Sequence, residues 1–125
     1  PLYIQGAENP FTGPVYVLTS PQTGSAAEAF AIATLAMPNA KRIGVATSGA
    51  MSTALEKKLP NGWAFSISNE VYMDIMGKAY ENNGVPVDYI LGYDRDRQTF
   101  FREVAGDLGR DKEDILEAID ALTEF

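Results

Sequence analysis

One serine lies where a predicted strand gives way to a predicted helix. The segment TGSAAEAF, residues 23–30, follows the apolar run PVYVLTS and opens a helical pattern. In open α/β sheets, binding sites gather where strand carboxyl ends meet helix N-termini. There the first N–H groups of a helix lack intrahelical partners, and the helix dipole favours negative charge, as a tetrahedral oxyanion requires. Ser25 is therefore a candidate nucleophile. The N–H groups of Ala26 and Ala27 are candidate oxyanion donors, and Gly24 leaves room for a substrate carbonyl.

The same serine also fits a purely structural role. Ser25 and Glu28 form the pattern S-x-x-E directly before an apolar helix, which is typical of a capping box. Because caps far outnumber nucleophiles, local sequence alone favours this structural interpretation. The surrounding residues also do not form the G-x-S-x-G pattern of the α/β-hydrolase nucleophile elbow. The choice between a cap and a nucleophile stays open at this level.

Composition narrows the chemistry that the chain can perform. Its 125 residues suit one domain, and 46% hydrophobic with 22% charged residues is an ordinary globular balance. The sequence has no cysteine and no histidine, which excludes cysteine nucleophiles, thiolate zinc sites and an imidazole base within it. We expect no metal or cofactor. The net charge of −7 argues against a nucleic-acid partner, and no apolar run is long enough to span a bilayer.

The elements around Ser25 follow the pattern of an α/β fold. The run at 15–19 predicts a strand buried on both faces. The next helix has small and apolar residues at helical spacing, namely Ala26, Ala27, Phe30, Ala31, Thr34 and Leu35. A second buried strand is predicted at 42–46. Strand, helix and strand within about thirty residues form a βαβ unit.

The rest of the chain predicts a hairpin and helices. Pro60-Asn61-Gly62 is a strong turn signal between strands at 53–59 and 63–71. A short strand is predicted within 84–91, a short helix at 99–104 and an amphipathic helix at 111–122. That last helix has Asp111 as its N-cap and an apolar face of Ile115, Leu116, Ile119 and Leu122. The stretch at 73–83 is ambiguous between a loop and a loop that contains a short helical piece.

Three segments of the chain carry a family resemblance. They are VYVLTS with Thr23 and SAAEAF, then RIG at 42–44, and ENNGVPVD at 81–88. Together, over residues 14–91, they resemble the tail-specific (C-terminal-processing) serine protease family. They are most similar to the branch of tricorn core proteases and interphotoreceptor retinoid-binding protein repeats. The resemblance implies a ClpP/crotonase-like α/β fold and serine peptidase chemistry on a peptide or protein substrate. It also implies Ser25 as nucleophile and a periplasmic, secreted or cell-envelope location. With the nucleophile at Ser25, the helix N-terminus predicts Ala26 and Gly24 as the oxyanion residues.

The chain departs from that family at its catalytic base. The lysine base of the C-terminal-processing branch aligns with Ala50, and the histidine base of the tricorn-like branch lies far upstream of the matching region. Glu81 aligns with a carboxylate that the tricorn-like branch uses near its active site; the alternative is a solvated loop acid. Lys57 and Lys58 fit an exposed strand of the hairpin better than a base.

The prediction is therefore a single domain at 1–125, the C-terminal part of a serine endopeptidase catalytic domain with a helical segment at 92–125. It would act through an acyl-enzyme at Ser25, need the missing N-terminal part of the same protein, and be inactive alone. A non-catalytic ligand- or peptide-binding module on the same fold is the alternative, with Ser25 only a cap. A structural assembly domain is a further alternative, and a homo-oligomer is compatible with any of these.

Overall fold

A βαβ unit forms the centre of the molecule, as the sequence predicts. The computed structural model describes residues 5–123. Strand β1 (Val15–Thr19) leads through a turn into helix α1 (Ala26–Thr34), and strand β2 (Ala40–Gly44) returns parallel to β1, with Val15 opposite Ala40. Strand β2 begins two residues before its predicted start. The predicted strand–helix–strand order is confirmed.

A third parallel strand completes the main sheet. Strand β5 (Tyr89–Ile90) pairs with β2, which gives the order β1-β2-β5 and places β2 in the centre. Between β2 and β5 the chain forms an antiparallel hairpin of β3 (Ala54–Lys58) and β4 (Ala64–Ser68) around the predicted turn. The segment at 73–83 contains no helix; it is a set of turns with one isolated bridge between Met73 and Ala79.

Helices cover the two faces of the sheet. Successive residues of β2 point to opposite faces of the sheet. The Arg42 guanidinium donates to the Thr34 carbonyl of α1 at 2.9 Å, whereas Ile43 packs on the other side against Ala118 of helix α3 (Leu108–Thr123). A short helix α2 (Arg97–Gly106) precedes α3, and Asp96 caps its N-terminus by accepting the Thr99 N–H at 2.9 Å through its carboxylate. The mixed α/β fold predicted from sequence is confirmed.

Three details of the predicted core are wrong. Strand β1 is not buried on both faces, since Leu18 is 55% exposed at the sheet edge. In α1 the predicted face is only partly correct: Ala31 and Thr34 are buried as predicted, but Ala26, Ala27 and Phe30 are exposed. Glu28 is the third buried position. The helix turns the face that carries Glu28 inward, because that carboxylate has polar partners there.

The third difference concerns α3. The helix begins at Leu108, and the Asp107 carboxylate, not that of Asp111, accepts an N–H group of its first turn, from Arg110 at 3.0 Å. Leu116 is half exposed, while the other three residues of the predicted face pack around Ala118. Within residues 5–123 no helix has the length and apolar character that a membrane crossing requires.

Ionisation of Tyr80, in the core beside α1, makes the stability of the fold depend on pH. Its ring packs with Ala31, Met51 and Val85, and its hydroxyl donates to Asp74 at 2.7 Å. Burial, followed by that hydrogen bond, raises the pKa of Tyr80 from 10.0 to about 12. A tyrosine whose pKa is higher in the folded than in the unfolded state stabilises the fold fully at pH values below the unfolded-state pKa. That stabilisation is lost as the pH rises above the unfolded-state pKa and through the folded-state pKa.

We therefore expect the native chain to lose about 1 kcal/mol of unfolding free energy through Tyr80 between pH 9 and about pH 11. Tyr80→Phe should remove this part of the alkaline loss, because phenylalanine does not ionise. Urea unfolding of both proteins across that pH range measures the difference. Tyr93, whose pKa is also raised to about 12, mainly by burial, contributes a similar loss in both proteins. An unchanged alkaline loss in Tyr80→Phe contradicts the prediction.

Candidate active site

Ser25 occupies the turn between β1 and α1 in a strained backbone conformation. Its φ is 54° and its ψ is −125°, and its side chain is exposed. Positive φ is uncommon for residues other than glycine and is often found at functional sites. Ser25 is the residue before the helix, yet its hydroxyl makes no capping hydrogen bond, so the capping-box interpretation is wrong. The Thr23 hydroxyl does not cap α1 either, because it accepts the Ser20 N–H at 3.0 Å.

The backbone around Ser25 leaves two N–H groups free. The Ser25 N–H donates to the Ala50 carbonyl at 2.9 Å, and the Ala27 N–H donates to the Gly24 carbonyl at 3.2 Å. The expectation that the Ala27 donor is free is therefore wrong. Within residues 5–123, the N–H groups of Ala26 and Gly24 donate to no protein acceptor. Of the predicted oxyanion donors, these two retain the capacity to bind an anion.

The Glu28 carboxylate is fully buried beside this turn. One oxygen accepts the Thr47 hydroxyl at 2.5 Å and the Gly49 N–H at 2.7 Å. The other accepts the Ala50 N–H at 2.8 Å and the Ser48 hydroxyl at 3.3 Å. Glu28 has 0% exposure, and within residues 5–123 it forms no salt bridge. Its charge is compensated by these donors and by the N-terminus of α1, where a negative charge is favoured.

The loop at 47–50, which we call the clamp loop, is held from its other side by the segment at 82–85. The Thr47 hydroxyl accepts the Val85 N–H at 2.6 Å, and the Gly49 carbonyl accepts the Asn82 N–H at 2.8 Å. The backbones approach so closely that a Cβ on Gly84, whose φ is +75°, would lie 2.0 Å from the Thr47 carbonyl oxygen. Only glycine fits there, which gives a physical reason for the glycine in ENNGVPVD.

Glu81 contacts the chain just after the clamp loop. Its half-buried carboxylate accepts the N–H of Met51 at 3.3 Å, and Met51 directly follows Ala50, whose carbonyl binds the Ser25 N–H. Lys57 and Lys58 lie on exposed β3, as predicted. Thus the chain gathers Gly24, Ser25 and Ala26 at one turn and places Glu81 behind the clamp loop. Within residues 5–123 no group of three acidic, cysteine or histidine side chains could hold a metal ion.

Sequence reasoning missed the role of Glu28. The S-x-x-E pattern predicts at most a capping box, in which the Glu28 side chain would reach back to the helix start, and it does not predict a buried carboxylate. The signal that could have corrected it is the polar run Thr47-Ser48-Gly49 directly after a buried strand. Such a run at a strand carboxyl end offers hydroxyl and N–H donors to whatever faces it, and a buried carboxylate requires several of them.

We predict that Glu28→Gln destabilises the chain by about 2–4 kcal/mol. The amide keeps the shape of the carboxylate, but its NH₂ group faces N–H and hydroxyl donors and leaves at least one of them unpaired. Urea unfolding measures the loss. Glu81→Gln is the matched control, and it should cost less than about 1 kcal/mol because a single long hydrogen bond is affected. Equal losses at Glu28 and Glu81 would contradict the role of Glu28 as the buried acceptor of four hydrogen bonds.

The strain at Ser25 predicts a second stability difference. Ser25→Gly removes the Cβ that disfavours positive φ, whereas Ser25→Ala keeps it, and neither substitution removes a capping bond. We expect Ser25→Gly to be more stable than Ser25→Ala by about 1 kcal/mol in urea unfolding. If Ser25→Ala lowers the unfolding free energy as much as the loss of a helix cap, and Ser25→Gly is no more stable than Ser25→Ala, then Ser25 caps α1 after all.

Comparison with solved structures shows the fold of this chain inside larger proteins. A putative peptidase from Parabacteroides merdae ATCC 43184 is 24% identical, with a TM-score of 0.67, over 85% of this chain and 35% of that one. The photosystem II D1 C-terminal processing protease is 23% identical, with a TM-score of 0.56, over 77% of this chain and 26% of that one. A lipoprotein from Streptococcus agalactiae is 26% identical, with a TM-score of 0.52, over 63% of this chain and 28% of that one.

The chain thus spans 26% to 35% of the length of these three structures. A comparison with curated proteins finds no match. The sequence profile of Peptidase family S41 matches residues 3–91, which is most of the chain and includes the turn at Ser25, the clamp loop and the ENNGVPVD segment. The tail-specific resemblance is confirmed, and the chain belongs to peptidase family S41.

Proposed function

We propose that this chain carries the nucleophile of a serine peptidase and that Ser25 is that nucleophile. The observation that supports this most strongly is the backbone of Ser25, which is held at φ 54° with an exposed hydroxyl that caps nothing. A strained serine between a strand and a helix presents its Oγ outward, as in the nucleophile elbow of other hydrolases. The peptidase names of two structural neighbours, and membership of family S41, support a peptide as substrate.

The proposed reaction uses groups at this turn. The Ser25 Oγ attacks the carbonyl carbon of a peptide bond while a base takes the hydroxyl proton. The carbonyl oxygen becomes an oxyanion and accepts the free Ala26 N–H at the positive end of α1. The protonated base then gives its proton to the leaving amine, and the C–N bond breaks to leave an acyl-enzyme. Water, deprotonated by the same base, releases the acid product and restores Ser25.

The base is proposed to come from outside these residues. The sequence contains no histidine, and the position of the family's lysine is Ala50, whose carbonyl instead binds the Ser25 N–H. The Glu81 carboxylate lies beside Met51, close to this loop, and we propose that it orients the incoming base. Its role would be that of the third group in a triad, which holds the base in position for Ser25.

Labelling of the intact protein tests the nucleophile. A fluorophosphonate should attach to Ser25 and be found on the tryptic peptide that contains it, because only an activated serine reacts quickly. Ser25→Ala should abolish the label, whereas Ser66→Ala, at an exposed serine of β4, should leave it unchanged. An intact protein that stays unlabelled while binding peptides would instead support the non-catalytic binding module.

Activity of the isolated 125-residue chain tests the source of the base. We expect negligible turnover of an unstructured fluorogenic peptide, since a serine hydroxyl without a base is a weak nucleophile. Steady turnover that Ser25→Ala abolishes would show that a base within the chain serves Ser25, and the proposal of an external base would then be wrong.

A further inference from the structure

The β3–β4 hairpin presents an apolar face to solvent. Register pairs Leu55 with Ile67 and Lys57 with Phe65, so these side chains share one face, while Glu56 and Ser66 lie on the other. We define the hairpin face as Leu55, Lys57, Leu59, Trp63, Phe65 and Ile67. Its five apolar side chains are between 38% and 73% exposed. Monomeric proteins rarely expose contiguous apolar patches without a binding function.

The hairpin also presents unpaired backbone. It forms a sheet of two strands, and within residues 5–123 neither outer edge has a strand partner. A two-stranded hairpin alone is only marginally stable in water, and its free edges offer N–H and C=O groups to an added strand. An extended peptide can satisfy both features, because its backbone pairs with an edge and its alternate side chains meet one face.

The hairpin begins next to the candidate active site. The Ala50 carbonyl accepts the Ser25 N–H at 2.9 Å, and two residues later the Ser52 hydroxyl accepts the N–H groups of Asn69 and Glu70, each at 3.1 Å. The base of the hairpin is thereby fixed to the loop that holds Ser25. Strand β3, at roughly 3.4 Å per residue, matches about five residues of an extended peptide. A substrate with its scissile bond at Ser25 must therefore extend beyond that bond by about five residues to pair with the whole strand.

The charge on this face favours one kind of peptide. Lys57 is the single charged residue of the hairpin face, in a chain whose net charge is −7. It lies between Leu55 and Leu59, and within residues 5–123 it forms no salt bridge. We propose that the hairpin adds an extended substrate segment as a further strand, with apolar side chains at alternate positions and an acidic group opposite Lys57. This proposal rests on the proposed function, since it assigns the substrate of the same site.

Trp63 makes the proposal measurable. It is the only tryptophan of the chain and is 73% exposed on the hairpin face. In the 125-residue chain carrying Ser25→Ala, a peptide of about six residues with leucine at alternate positions and one glutamate should shift Trp63 emission to the blue and reduce quenching by iodide. An analogue N-methylated at alternate amides, which cannot pair with a strand edge, should bind at least about tenfold more weakly. Replacing its glutamate by lysine should also weaken binding.

Two matched variants place the peptide on this face. Phe65→Ser should weaken peptide binding by about tenfold or more, because a large apolar contact is lost. Ala64→Ser introduces the same side chain on the opposite face and should leave affinity unchanged. Urea unfolding confirms that both variants are folded.

Three results would overturn the proposal. They are no response of Trp63 to any of the peptides, equal binding of the N-methylated analogue, and a blue shift that depends on protein concentration without peptide, which would assign the face to a second copy of the chain. The nucleophile is tested separately by fluorophosphonate labelling. A Trp63 response without labelling would overturn the nucleophile and leave the hairpin as a peptide-binding surface of a non-catalytic module. Labelling without a Trp63 response would overturn the hairpin proposal and leave the nucleophile in place.

Discussion

The buried Glu28 carboxylate is the interaction on which the rest of this site depends. An ionised carboxylate with no exposure is costly unless several donors compensate it. Here two hydroxyl groups and two N–H groups, all from residues 47–50, supply that compensation. The hydrogen bonds to this one side chain of α1 thus fix the conformation of the loop that follows β2. They also join the start of α1 to the chain beyond the carboxyl end of β2.

The position of Ser25 follows from that constraint. The Ala50 N–H binds Glu28 and the Ala50 carbonyl binds the Ser25 N–H, so a single peptide segment connects the buried carboxylate to the strained serine. The segment at 82–85 supports the same loop from behind through Thr47 and Gly49. Strain at a single residue persists only when its surroundings hold it in place, and this network provides that support. The proposed nucleophile is therefore positioned before any substrate binds.

The sequence predicted the elements well because each has a local signal. The βαβ unit, the hairpin around Pro60-Asn61-Gly62 and the last helix follow from apolar periodicity and turn residues. The direction of side chains was harder to predict. S-x-x-E fits a cap and an inward-facing glutamate equally well, and only the distant Thr47 decides between them. Exposure of Leu18 and Phe30 also depends on the number of strands and layers around them, which local patterns do not specify.

A structure of the intact protein after reaction with a phosphonate is the most direct test of the central claim, that Ser25 is a pre-positioned nucleophile with Ala26 as its oxyanion donor. The account predicts a covalent bond from the Ser25 Oγ to phosphorus. It also predicts a phosphoryl oxygen about 2.7–3.1 Å from the Ala26 nitrogen, with the clamp loop unchanged. An adduct on another residue, or a phosphoryl oxygen directed away from Ala26, would contradict it.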